Sequence, residues 1–483
     1  MTVPTGIRSF GAYLPRLRLE RTAIAAATGW ATGTRGSKAR GVRSCCNWDE
    51  DSLTMAVEAS RDCLTGSDRN GVTWLAFAST THPFADRSNA GVVATALNLP
   101  ESLRAADVSG SLRAGTGALL QAFAQARTAT GDALVVAADR RIAKPASEQE
   151  MSFGHGAAAI RVGTGDDLVA ELLGSASLQD DFVDHYRASD ATFDYALEER
   201  WVRDEGYLKI VPRAIEAALA NAGVAASAVR HLVIQGPGRF ASAIAKATGM
   251  AADTLQDDLH AVCGDTGTAH PLLMLGTVLE KATAGDVILL ASFGQGSDAI
   301  VFQSTGRAPS PGHGCRGAIA DGSPDREYLR FLSNCGLVDI DWGMRAERDN
   351  RTAQTVAWRK HRDVTAFIGG KCSRCGTVQF PKSRACVNPQ CRAFDTQVEH
   401  PLADSGGRVK TFTEDWLAVT RSPPHVYGNV ALDDGANVFA EFADTPAAAL
   451  AVGTPVRFVF RIKDVDALRG FHRYFWKATP VRN

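Results

Sequence analysis

The feature that most restricts how this 483-residue chain can fold is an internal duplication. Gly115-Thr116 leads into the apolar stretch ALLQAFAQARTAT, then Gly131-Asp132 and the strand-like run ALVVAADR. In a later segment, Gly267-Thr268 leads into LLMLGTVLEKATA, then Gly285-Asp286 and VILLASFG. Each copy reads as a glycine-led helix, a Gly-Asp turn and an apolar strand. Both helices are apolar over most of their surface, so both should be buried. Two halves that each supply one buried helix, the pair facing each other between sheets, suit a duplicated five-layer α/β body.

The surrounding pattern agrees. Trp74–Ser79, Ala133–Ala137, His231–Gln235 and Val287–Ala291 read as buried strands, and Leu53–Leu64 and Ala114–Thr128 as helices between them. The first half is expected over 1–165 and the second over 166–305. Gly, Pro, Ser and Arg then dominate (TGRAPSPGHGCRGAIADGSP), which is loop composition, and a charged helical segment follows (MRAERDNRTAQTVAWRKHR); together they make a linker over 306–365. A cysteine cluster occupies 366–400. From 401 to 483 come short strand-like runs such as NVFAEFA and TPVRFVFRIK, the pattern of a small antiparallel barrel.

Composition excludes several classes. The net charge is -1, with no basic excess to bind nucleic acid. Barrel aromatics such as Phe471, Tyr474, Phe475 and Trp476 therefore read as core or interface rather than base-stacking platforms. No apolar run is long enough to span a bilayer, and the N-terminal stretch lacks the apolar core of a signal peptide. A cytoplasmic location is the expectation. The cysteines outside the cluster (Cys45, Cys46, Cys63, Cys263, Cys315 and Cys335) read as reduced thiols.

The cluster KCSRCGTVQFPKSRACVNPQCRAF sets Cys372 and Cys375 as C-x2-C and Cys386 and Cys391 as C-x4-C. Two such knuckles bring four thiolates together, a donor set that suits a structural Zn2+ with no open coordination position. Iron is the alternative occupant.

At this level of detail the first 305 residues resemble the thiolase superfamily, most closely 3-hydroxy-3-methylglutaryl-CoA synthases of the archaeal and bacterial type. The resemblance rests on Asn47–Ala59, Thr81-His-Pro-Phe84, Arg113-Ala-Gly-Thr116, Asp184-His-Tyr-Arg187, Gly206-Tyr-Leu-Lys209 and Gly294-Gln-Gly-Ser-Asp298. The C-terminal part resembles the acyl-CoA-associated OB-fold family with a rubredoxin-like zinc ribbon, whose members often accompany thiolases and synthases as separate subunits. The resemblance implies a coenzyme A thioester as substrate or ligand, and a homodimer or a hetero-oligomer built on one.

It also implies a catalytic cysteine at the start of a buried helix, a Glu, a His and an Asn. This sequence departs at each position. Leu112 stands where the cysteine belongs, Thr80 for the Glu, Gln235 for the His and Asp265 for the Asn. A leucine cannot form an acyl-enzyme. Candidates to replace the lost groups are Ser111, Cys263, Asp265 and His270, with Ser109, His82 and His155 nearby. Each has a structural alternative: a helix cap for serine, core packing for a lone cysteine, a hydrogen-bonded histidine. Two functions remain open. One is an acyl-CoA-binding subunit that bridges to a catalytic thiolase-family partner. The other is a self-sufficient acyl-CoA enzyme with a non-standard site, performing acyl transfer, C–C condensation or retro-Claisen cleavage.

Overall fold

The computed structural model describes residues 3–33, 39–128, 131–307, 312–343 and 353–482. The chain divides into two compact units. The first holds Met1–Asn47, Asp51–Ala94 and Leu99–Phe331; the second holds Trp48–Glu50, Thr95–Asn98 and Leu332–Asn483.

The first unit is built on nine strands: β1 (Thr5–Tyr13), β2 (Val72–Ala78), β3 (Arg104–Val108), β4 (Asp132–Arg140), β5 (His155–Thr164), β6 (Ala170–Gln179), and, after the short hairpin β7 (His185–Tyr186) and β8 (Tyr195–Ala196), β9 (Val229–Ile234), β10 (Val287–Phe293) and β11 (Gly296–Ser304). The nine run in the order β9-β10-β11-β6-β1-β5-β4-β2-β3. They are two half-sheets. Only Gly6 and Ile7 of β1 pair with Glu171 and Ala170 of β6, while within each half the ladders run nearly the full strand length.

The labelled helices of this unit are α1 (Arg21–Thr32), α2 (Ser52–Cys63), α3 (Ala114–Thr128), α4 (Leu208–Ala222) and α5 (His270–Leu279). The duplicated helices α3 and α5 form the central layer. Ala118, Leu119, Ala122 and Phe123 join Leu272, Leu273 and Leu275 in one core with Val135 and Ile160 from one half-sheet and Ile288 and Phe302 from the other. The outer faces are covered by α2 on one side and by α4 on the other, where Ile215 and Ala218 pack on Leu289 and Val301. Helix, sheet, paired helices, sheet, helix make five layers. Burial of apolar surface holds them, at about 25 cal/mol per Å² removed from water.

Local sequence sets the helix starts. Asp51 caps α2 reciprocally with Thr54, each side chain accepting the other's backbone N–H at 2.8 Å. At α3 the constraint is close approach: a Cβ on Gly115 would lie 2.2 Å from the Thr268 carbonyl oxygen, so the paired glycine of the duplication lets the two helix starts meet.

The stretch expected as plain linker contains two helices, α6 (Gly314–Ala320) and α7 (Tyr328–Asn334). The cause is non-local. The Glu280 carboxylate accepts the N–H groups of Cys315 (2.6 Å) and Arg316, supplying from a distance the cap that the local sequence lacks. Of the charged segment expected as a helix, 344–352 lie outside the described residues, and Gln354–Arg359 and His361–Val364 are helical.

In the second unit, β12 (Ile368–Cys372), β13 (Val378–Gln379) and β14 (Gln397–Pro401) form a small sheet in the order β13-β12-β14. The strands β15 (Gly407–Asp415), β16 (His425–Leu432), β17 (Asn437–Glu441), β18 (Pro455–Asp466) and β19 (Phe471–Pro480) follow in the order β17-β16-β15-β18-β19. A bridge between Phe442 and Ala478 brings the ends of this all-β sheet together, as an OB-fold barrel requires. Val430, Val438, Phe458, Phe460 and Trp476 fill it. Trp476 Nε1 donates to the Thr365 carbonyl at 2.9 Å, so the one polar atom of this buried ring is satisfied.

Candidate functional site

The four clustered cysteines are all free thiols, and their Sγ atoms lie within 4.8 Å of one another. Cys372 and Cys391 are 4.0 Å apart and Cys375 and Cys386 3.5 Å. A tetrahedron of Zn–S bonds near 2.3 Å requires sulfurs about 3.8 Å apart, so the donor set fits zinc in both chemistry and spacing. The first knuckle closes where the Gly376 N–H donates to the Cys372 carbonyl at 2.8 Å, and Gly376 takes φ 77°, a conformation that favours glycine.

In the first unit, a cavity of about 320 Å³ is lined by Thr80, Ser109–Leu112, Asp184–Arg187, Asp194, Gly294 and Gln295. The structure thus brings Thr80, Ser111 and Leu112 to one place. Leu112 is 9% exposed and sits just before α3, on a turn that Gly110 makes at φ 97°. Ser111 Oγ donates to the Gly294 carbonyl at 2.7 Å and accepts the Arg113 N–H at 3.2 Å. Its proton is engaged by that carbonyl, which is the bonding of a structural serine.

The other positions of interest are tied into the protein. Asp139, fully buried at the end of β4, accepts on Oδ1 from the backbone N–H (2.8 Å) and hydroxyl (3.1 Å) of Thr80 and from the hydroxyls of Ser79 and Thr81. Its Oδ2 accepts the Thr268 N–H at 2.8 Å. Gln235 is buried, and its Nε2 donates to the Gly267 carbonyl at 3.2 Å. Asp265 accepts the Gly267 N–H at 2.9 Å and pairs with Arg141 at 3.4 Å. Burial alone would raise the Asp265 carboxyl; His270 and the Arg141 guanidinium outweigh it and hold the group below the usual carboxylate range.

Arg141 connects this helix start to the cavity. It pairs with Asp194 at 2.8 Å, lies 3.7 Å from the Phe153 ring centroid, and is 4% exposed. Asp194 in turn pairs with Arg187 at 2.7 Å, and Arg187 donates to the Thr80 carbonyl. Burial acts to raise Asp194 as well, yet the two guanidiniums hold it low.

Cys263 and His270 do not line the cavity. Cys263 is fully buried, its thiol pushed up to about 12 by desolvation and directed at the Leu259 and Gly264 carbonyls. A thiol so placed is not a nucleophile at neutral pH. His270 accepts the Thr266 N–H on Nδ1 (3.3 Å) and donates from Nε2 to the Asp258 carbonyl (2.9 Å), so both ring nitrogens are occupied. His155 is likewise held between the Cys46 N–H and the Arg141 carbonyl, and burial drives its imidazole well below the usual value. His82 bonds the Phe77 carbonyl and packs edge-on against the Phe77 ring; burial lowers it too.

Sequence reasoning gave no role to Asp184, His185 or Asp194. His185 Nδ1 lies 2.8 Å from Asp184 Oδ2, and both side chains line the cavity beside Leu112. The only sequence signal was an Asp-His pair beside an arginine within a family-like segment. A second, larger groove of about 570 Å³ runs along α1, bounded by Ile24, Ala25, Thr28, Arg40, Met151 and His260 and sharing no residue with the first. Arg21 braces its floor through three carbonyls, those of Met151, Arg40 and His260.

Comparison with known proteins places both parts. Residues 359–397 match the family described as ChsH2, rubredoxin-like zinc ribbon domain, and 399–461 match ChsH2, C-terminal OB-fold domain. The hydroxymethylglutaryl-CoA synthase of Methanocella arvoryzae is 29% identical over 306 residues, spanning 62% of this chain and 87% of the relative. That of Aeropyrum pernix is 28% identical over 349 residues, spanning 71% and 93%. The body is thus similar to hydroxymethylglutaryl-CoA synthases, and the ribbon and barrel match ChsH2 domains. Solved structures agree on the synthase-like fold. 3-Oxoacyl-(acyl carrier protein) synthase III, FabH, from Pseudomonas aeruginosa superposes with a TM-score of 0.56 at 22% identity, over 63% of this chain and 99% of that one. MvaS in complex with 3-hydroxy-3-methylglutaryl coenzyme A gives 0.55 at 20% identity, over 69% and 89%. Among the described residues of the synthase-like chain, no helix is long and apolar enough to cross a membrane.

Proposed function

We propose that this protein binds a coenzyme A ester without carrying its acyl group, as a subunit of a thiolase-type complex whose covalent chemistry belongs to a catalytic partner. One observation carries the reading: Leu112 occupies the cavity position before α3, while Thr80, Asp265 and the amide N–H of Gln235 are committed to internal hydrogen bonds. A condensing enzyme of this fold needs a thiolate at a helix N-terminus and groups free to polarise a thioester. Nothing at these positions supplies either. The ribbon holds a structural Zn2+ and, with the barrel, forms the bridge to the partner.

The free edge of β3 supports a homodimer within that complex. β3 is the last strand of its sheet, and Arg104–Asp107 are exposed, a surface ready to pair with a second copy.

The test is purification of the chain alone and with whatever co-purifies from its native source. The reading expects thioester turnover only when a thiolase-family protein is present; turnover by the chain alone at condensing-enzyme rates would remove it. A second reading, an enzyme in its own right, draws on Asp184 and His185 in the same cavity.

A further inference from the structure

We infer that Asp184 and His185 form a base beside Leu112 that removes and returns a proton on the carbon next to the carbonyl of a non-covalently held acyl-CoA. The inference rests on the CoA-ester reading and adds the substrate class: thioesters with at least one hydrogen on that carbon.

The hairpin β7–β8 carries His185 onto the cavity wall. Its Nδ1 is 2.8 Å from Asp184 Oδ2, which fixes the tautomer with the proton on Nδ1 and leaves the Nε2 lone pair available. Among the described residues nothing hydrogen-bonds to Nε2, unlike the ring nitrogens of His155 and His270. The two side chains are only 12% and 22% exposed, so the pair is shielded without being sealed off. The charged groups sharing the wall are Arg187 and Asp194, and these are paired with each other. Ser111 and Leu112 bring the N-terminal end of the fifteen-residue α3 to the same cavity. The positive end of that helix dipole favours negative charge developing on a thioester oxygen. The Leu112 side chain gives an apolar surface for the acyl chain.

The step balances without any further reactant. The C–H bond breaks, its proton goes to His185 Nε2, and its electron pair moves into the enolate with charge on the thioester oxygen. Imidazole becomes imidazolium, paired with the Asp184 carboxylate. Return of the proton from Nε2 restores the ester. In D2O the imidazolium exchanges with solvent before return, so the ester gains deuterium.

The experiment incubates the full chain with propionyl-CoA in D2O and follows deuterium in the acyl group by mass spectrometry, with binding of propionyl-CoA measured by calorimetry. The expected result is exchange well above the protein-free rate. His185→Gln should lower it about 100-fold or more with binding within twofold, the size expected of a general base. Asp184→Asn should lower it as well, and added imidazole should restore part of it to His185→Ala, a rescue that a merely structural histidine would not show. Binding without exchange, or exchange at the full rate in His185→Gln, overturns the inference while leaving the CoA-ester reading intact. Absence of binding overturns both.

Discussion

Replacing Arg141 with methionine should unsettle the first unit more than any other single change near the cavity. The guanidinium lies 2.8 Å from Asp194 and 3.4 Å from Asp265. At an effective dielectric near 20 these pairs are worth about 6 and about 5 kcal/mol of attraction, most of it offsetting the cost of burying the charges. Methionine fills the space but strands the carboxylates. Asp194 keeps Arg187 at 2.7 Å and Asp265 keeps the Gly267 N–H at 2.9 Å, so the loss is partial. About 3–5 kcal/mol is expected, the range for breaking a buried pair from one side. For a unit of this size that is a fall of roughly 10 °C in the midpoint of its transition, read by scanning calorimetry. Arg141→Met with Asp194→Asn should recover part of the fall, because it removes one stranded charge. The pH dependence has a definite sign. The folded-state pKa of Asp194 is depressed, so its contribution is complete above the unfolded value of about 3.9 and is lost as pH falls through the folded value. The gap between wild type and Arg141→Met should narrow accordingly below about pH 4. A fall worth under about 1 kcal/mol at pH 7, or a gap indifferent to pH, would refute the ion-network argument.

Three further outcomes are expected. Leu112→Cys should place a thiol before α3 yet leave condensing activity at background, since Thr80 and Gln235 offer no donor free to polarise a thioester held on that thiol; restored activity in a spectrophotometric thioester assay would show that the remaining groups suffice. Zinc should be present at one ion per chain by elemental analysis. Chelation or Cys391→Ser should release it and unfold the ribbon, because structural zinc is worth on the order of 10 kcal/mol of folding free energy. Ala106→Lys, at the centre of β3, should set like charges near one another across a two-fold axis and shift the protein toward monomer in sedimentation velocity.

The fold was legible where the pattern is local. Ala114–Thr128 is helical over the residues that its apolar surface marks out, and the four apolar runs are strands to within a few residues. The cysteine spacing pointed to the convergence that the Sγ positions show. Helix α6 was not legible, because the carboxylate that caps it belongs to Glu280, far back in the chain. The cavity was half visible. Leu112, Ser111 and Thr80 were marked as the positions where a condensing site ought to be, but Asp184, His185 and Asp194 come from a different stretch and reach the same wall only through tertiary structure. Cys263 and His270 looked interesting for their place in the repeat. Only the packing tells that one is sealed and that the other has both nitrogens engaged.

The central claim is that this body holds a CoA ester and never takes the acyl group onto itself. Incubation of the full chain with propionyl-CoA, followed by intact-mass measurement of the protein under acid quench, tests it most directly. The account predicts an unchanged protein mass in a sample that binds the ester by calorimetry. A protein heavier by one propionyl group, mapped to any side chain of the cavity around Leu112, would contradict it.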